Sequence, residues 1–146
     1  NVTLGYENNP EANKNSFVNG WFRTGDQGYF DKDGYLKISG RLKEIINKGG
    51  EKISPLEVDN VLMDHPLIDQ AVCFGYEDKM LGENIASAII IKSGEICSEN
   101  DVLEYAKEKL AKFKIPKKIF FVEEIPKGAT GKLQRNVLAK KFGLNN

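Results

Sequence analysis

The sequence has one histidine, one tryptophan and two cysteines in 146 residues. A lone histidine without clustered sulfur ligands argues against a structural zinc site. The cysteines show no paired spacing: Cys73 stands in an apolar run, as a small buried hydrophobe does, and Cys97 in a polar turn. An excess of either charge is also lacking. With 21 basic and 21 acidic residues, the chain does not read as a general binder of nucleic acid. No apolar run approaches the roughly 20 residues of a transmembrane helix, and no signal-peptide pattern heads the chain. The expectation is a soluble, intracellular domain with no membrane span, long enough to bury one real core.

What is present changes character along the chain. Residues 1–20 are polar, Asn-rich and without periodicity, and alone bury too little to order themselves. From Trp21 onward apolar residues alternate around Asp31 to Gly34, which predicts a hairpin turned at Asp33-Gly34. A second hairpin is predicted with strands at 44–47 and 51–53 around Lys48-Gly49-Gly50. Ser54-Pro55-Leu56-Glu57 reads as a helix start with a capping box, and Pro66 ends that helix. Residues 68–76, 85–92 and 118–123 read as core strands. Ser98 opens a second helix with a Leu103, Ala106, Leu110 stripe, and 133–142 reads as the last helix. The predicted fold class is α+β, a sheet of about three strands flanked by helices, plus a β-hairpin.

Several residues admit a chemical reading beside an ordinary one. Lys132 follows Gly128, Thr130 and Gly131, a run that disfavours regular structure. A lysine there suits a compact cation that swings towards a phosphate, and equally a solvated surface lysine. Asp26 ends the Thr24-Gly25-Asp26 turn, where its carboxylate can cap the turn or accept from two adjacent ribose hydroxyls. Arg41 offers a planar fork for phosphate, or a surface ion pair. Lys43 lies where a hinge between two rigid bodies would fall. Gly49 and Gly50 are turn residues or a place where a ligand passes close by. His65 before Pro66 reads as structural, and Lys112, Lys114, Lys117 and Lys118 as a basic run that is a solvated face or greets a phosphorylated ligand.

The ordered set GYENNPEA, GWFRTGD, GYLKISGRLKEIINKGGEKISPLEVD, FKIPKKI and PKGATGKLQR resembles the adenylate-forming superfamily. That group holds acyl-CoA synthetases, luciferases and peptide-synthetase adenylation domains. INKGGEKISPLEVD and GYFDKDGYL are most similar to the oxalate–CoA ligase type of acyl-CoA synthetase. The resemblance spans essentially the whole chain. It implies that residues 1–42 are the last segment of a large N-terminal AMP-binding domain and 43–146 a mobile C-terminal domain.

By the same resemblance Asp26 binds the ribose of ATP, Arg41 touches the nucleotide, and Lys43 is the hinge. The loop at Gly49 and Gly50 closes around the pantetheine arm of CoA, and Lys132 reaches the α-phosphate and the substrate carboxylate during adenylation. Asn47 stands where luciferases carry a second functional lysine, which counts against a luciferase-like oxidation. The implied activity is an acid–CoA ligase with ATP, CoA and a carboxylic acid as substrates, with Mg2+ held through the N-terminal domain. Residues 1–146 alone are expected to be inactive. The competing expectations are a non-catalytic interaction module and an adenylation domain that loads a carrier protein. A cytoplasmic location is expected, with a peroxisomal one as the alternative that FGLNN, lacking a peroxisomal tripeptide, does not support.

Overall fold

The computed structural model describes residues 3–127 and 133–145. It begins with helix α1 (Pro10–Ser16), capped by the Asn9 side chain, and two paired two-residue strands, β1 (Phe17–Val18) and β2 (Trp21–Phe22). No residue of α1 is buried, as the polar composition predicts. Strands β3 (Asp26–Phe30) and β4 (Leu36–Arg41) form the first predicted hairpin. Its turn hangs on Asp31, whose Oδ1 accepts from the amides of Asp33 and Tyr35, with Gly34 at φ +81°.

Leu42–Glu44 is a single 3-10 turn, so the strand expected from Glu44 begins only at Ile46. Strands β5 (Ile46–Lys48) and β6 (Glu51–Ile53) follow. Lys48 pairs with Glu51, so the turn is Gly49-Gly50 alone. Both have positive φ, +60° and +97°, the backbone that a two-residue hairpin loop of this kind requires.

Helix α2 (Pro55–Met63) starts at the predicted proline but lacks the predicted capping box. Ser54 Oγ donates to the Ser39 carbonyl of β4, and Glu57 pairs with Lys114 at 2.6 Å. Tertiary partners have displaced the local ones. At helix α3 (Glu99–Lys109) the local signal holds: Ser98 and Asp101 exchange side-chain and backbone hydrogen bonds in a full capping box. Its buried stripe is Val102, Ala106 and Leu110, with Leu103 half-buried.

Strands β7 (Ile68–Asp78) and β8 (Gly82–Ile91) form a long antiparallel hairpin, and α3 carries the chain over to β9 (Lys118–Phe121), parallel to β8. A parallel return needs such a crossover. The hairpin β5–β6 was expected beside this three-stranded sheet. It joins it instead, through Lys48 opposite Gly82, to make five strands. The last helix, α4 (Arg135–Lys141), starts two residues later than predicted, because Leu133 bridges to Lys127 as extended chain. The fold is α+β, as the sequence indicates.

Alternation along β7 and β8 divides the core into two faces. Ala71, Cys73, Ile85 and Ile89 pack with Val58 and Leu62 of α2 and with Val102 and Ala106 of α3. Val72, Phe74, Ala86 and Ala88 pack on the other face with Leu138 and Ala139 of α4. Phe142 stacks on Phe120 at 4.4 Å between ring centroids and on Phe74 at 5.8 Å.

Candidate functional site

The β3–β4 register sets Asp26 directly opposite Arg41. Arg41 Nε lies 3.2 Å from Asp26 Oδ1, so two separate sequence candidates form one exposed ion pair. Thr24 Oγ1 accepts from the Asp26 amide at 3.1 Å, and the Leu42 amide donates to the Gly25 carbonyl at 2.9 Å. The turn capping expected of the Thr-Gly-Asp sequence is therefore done by Thr24, and the Asp26 carboxylate faces outward beside a guanidinium. The pair borders a cleft of about 310 Å³ also lined by Glu44, Leu56, Leu133 and Arg135.

Lys132 lies outside the described residues. Lys127 and Leu133, on either side of it in sequence, pair as an antiparallel bridge, and Leu133 lines the cleft that holds Asp26 and Arg41. Lys43 is exposed in the 3-10 turn between β4 and β5.

Gly49 and Gly50 do not line that cleft. Their turn is held from the β7–β8 connection: the Gly49 amide donates to the Leu81 carbonyl at 2.8 Å, and the Asn47 amide to Glu83 Oε2 at 2.7 Å. A Cβ on Gly49 would stand 3.2 Å from Leu81 Cδ2, while one on Gly50 would meet nothing within 4 Å. The Leu81 connection is itself tied to Asp78. Hydrogen bonds from Asn84 and from the amides of Met80 and Leu81 hold the Asp78 carboxyl down at about 2.

The basic run is largely engaged inside the fold. Lys114 binds both Glu57 oxygens, Lys118 lies over the Tyr76 ring at 5.0 Å, and Lys117 is 4.0 Å from Asp78. Lys48 donates to the Phe113 carbonyl, and burial together with the neighbouring Lys117 lowers its pKa. His65 is buried, accepts from the Leu67 amide at Nδ1 and meets Tyr105 edge-on, as a structural histidine does.

Sequence reasoning missed the most buried charge cluster. Arg135 Nε donates to Glu44 Oε2 at 3.0 Å, Nη1 to the Cys73 carbonyl at 2.8 Å and Nη2 to Asp59 Oδ2. Asp59 Oδ1 in turn accepts from the Cys73 amide. Burial pushes the Asp59 carboxyl up, against the pull of Arg135. Burial by itself would lower Arg135, but its bonds and charge attraction to Asp59 and Glu44 outweigh that and raise it. One signal was available. Asp59 stands among Pro55, Val58 and Leu62 on the inward face of α2, where a carboxylate needs a partner.

The chain belongs to the AMP-binding enzyme C-terminal domain family, which matches residues 57–132, just over half of it. A probable CoA ligase of Humulus lupulus is 57% identical over 142 residues, 97% of this chain and 27% of that protein. The oxalate–CoA ligase of Saccharomyces cerevisiae is 54% identical over 144 residues, 97% of this chain and 26% of that enzyme. Among solved structures, the o-succinylbenzoate CoA synthetase of Bacillus subtilis, in complex with its acyl-adenylate intermediate, superposes with a TM-score of 0.87 at 41% identity. That match covers 94% of this chain and 28% of the synthetase. The chain thus spans about a quarter of the length of the relatives it matches.

Proposed function

We propose that this chain is the C-terminal part of an acid–CoA ligase that uses ATP to form an acyl-adenylate and then passes the acyl group to CoA. The observation that carries this is similarity to CoA ligases across 97% of the chain, at 54% identity or more. Residues 1–42 are read as the end of the large AMP-binding domain and 43–146 as its mobile partner. Apolar side chains left in the open on the first hairpin, Phe30 at 73% and Leu36 at 59%, suit a segment that packs against the remainder of a larger enzyme.

In the first step the substrate carboxylate attacks the α-phosphate and pyrophosphate leaves. Negative charge gathers on the phosphoryl oxygens, and the ammonium of Lys132 stabilises it. Asp26 accepts from the ribose hydroxyls, and Arg41, held 3.2 Å away, orients that carboxylate. In the second step the CoA thiol attacks the acyl carbon, the acyl–phosphate bond breaks and AMP leaves. Rotation at Lys43 withdraws Lys132 and brings the Gly49-Gly50 turn to the pantetheine arm. Among the described residues no group of three or more His, Cys, Asp or Glu is placed to hold a metal. The Mg2+ that accompanies ATP is assigned to the remainder of the enzyme.

An oxalate-type substrate is the finer reading, supported by the yeast and Arabidopsis thaliana relatives. A cytoplasmic setting suits Cys73 and Cys97, which are both free thiols. Among the described residues no helix is long and apolar enough to cross a membrane.

The test is Lys132→Ala in the full-length enzyme. Pyrophosphate exchange with ATP and acid should fall by about 10²–10³, the usual loss for one transition-state donor. Thioester formation from supplied acyl-adenylate should hold. Equal loss in both steps defeats the assignment, and exchange across a panel of acids including oxalate identifies the substrate.

A further inference from the structure

We infer that Glu44 and Arg135 are positioning residues that confine rotation between the two bodies to the single residue Lys43. The inference rests on the two-step reading above and on the pivot it places at that residue.

Upstream, the Leu42 amide donates to the Gly25 carbonyl at 2.9 Å, so Leu42 is tied to the base of the β3–β4 hairpin. Downstream, Glu44 accepts from Arg135, and that guanidinium is bonded in turn to the Cys73 carbonyl of β7 and to Asp59 of α2. Ile46, two residues further, is 1% exposed. Glu44 is therefore fixed, through Arg135, to edge strand β7 and to helix α2. Only the dihedrals around Lys43 lie between the two anchored points, and a rigid-body turn needs no more than a few such residues.

Asp59 alone already gives the guanidinium a buried counter-charge. What Glu44 adds is an attachment of the linker to the core. Without it the free stretch lengthens to residues 43–45, and each of the two productive orientations becomes one among many. Such a loss lowers the population competent for either step by one common factor.

The experiment uses the full-length enzyme carrying Glu44→Ala, with Glu44→Gln as the conservative variant, since a carboxamide oxygen still accepts from Arg135 Nε. Each half-reaction is measured separately, with kcat expressed per folded enzyme. Glu44→Ala should lower kcat of both half-reactions equally, roughly tenfold, if the competent orientation falls to about a tenth of its former population. KM for ATP and for the acid should stay the same, and Glu44→Gln should recover most of the rate. An unchanged kcat, a lowered melting midpoint with normal kcat, or a loss confined to one half-reaction overturns the inference. Failure of the two-step reading looks different: Lys132→Ala would then fail to separate the half-reactions whatever Glu44 does.

Discussion

The Asp26–Arg41 pair of the first hairpin and the Asp59–Arg135 pair beneath α2 share one chemistry in opposite surroundings. The first has side chains 31% and 59% exposed, the second 4% and 10%. Their neighbourhoods differ in the same way. Among described residues up to Leu42 only Gly40 is buried, while Trp21, Tyr29 and Phe30 stand open. Beyond Glu44 the sheet is covered on both faces, and the buried Asp59 is paired with Arg135. An ion pair in water contributes little to stability and leaves its groups available to a ligand. A buried one fixes backbone and is costly to break. The difference separates residues that are free to meet a substrate from residues that hold the frame.

The largest effect expected from breaking this contrast is at Asp59. Asp59→Ala leaves the Arg135 guanidinium with one counter-charge, half-exposed Glu44, and takes the acceptor from the Cys73 amide. Removing one partner of a buried pair costs about 3–5 kcal/mol, so urea unfolding of the chain should show a loss of that size. A loss below about 1 kcal/mol would mean that the cluster behaves like a surface pair.

The Gly49-Gly50 turn sharpens the comparison, because it is exposed yet conformationally demanding. An alanine at φ +60° costs about 1–2 kcal/mol. At Gly49 the new methyl also meets Leu81 Cδ2, a flexible side-chain end that can give way. Gly50, at φ +97°, lies outside the left-handed well that an alanine can occupy near +60°, so Gly50→Ala should destabilise more than Gly49→Ala, both within about 1–3 kcal/mol by the same unfolding measurement. The reverse order would show that the contact with Leu81, and not backbone strain, governs the turn.

Local signals carried most of the fold. The apolar runs at β7 and β8, the helix start at Ser98 and the paired glycines were legible because the signal there lies within a few neighbouring residues. The signals failed where a distant group competes. Ser54 has a capping sequence, yet bonds Ser39 across 15 residues, and Leu133 leaves its helix to bridge Lys127. The site divides along the same line. Motif residues such as Asp26 and Arg41 were legible one by one, but their contact depends on hairpin register, and the Arg135 cluster joins residues 62–91 positions apart.

The smallest effect on stability is expected at Asp26, and there the contrast between the two pairs is most exposed to refutation. Asp26→Ala removes an ion pair in which both partners already touch water, worth about 0–1 kcal/mol. The Asp26 amide keeps its bond to Thr24 Oγ1, and the register of β3 on β4 rests on backbone bonds that the substitution leaves alone. The unfolding midpoint should therefore barely move. In the full-length enzyme, on the function proposed above, the same change takes two acceptor oxygens from the ribose, and KM for ATP should rise roughly 10–100-fold, the loss of one or two charge-assisted hydrogen bonds. A protein that unfolds early while keeping its ATP affinity would assign Asp26 to the frame, and the two ion pairs would then differ only in exposure, not in role.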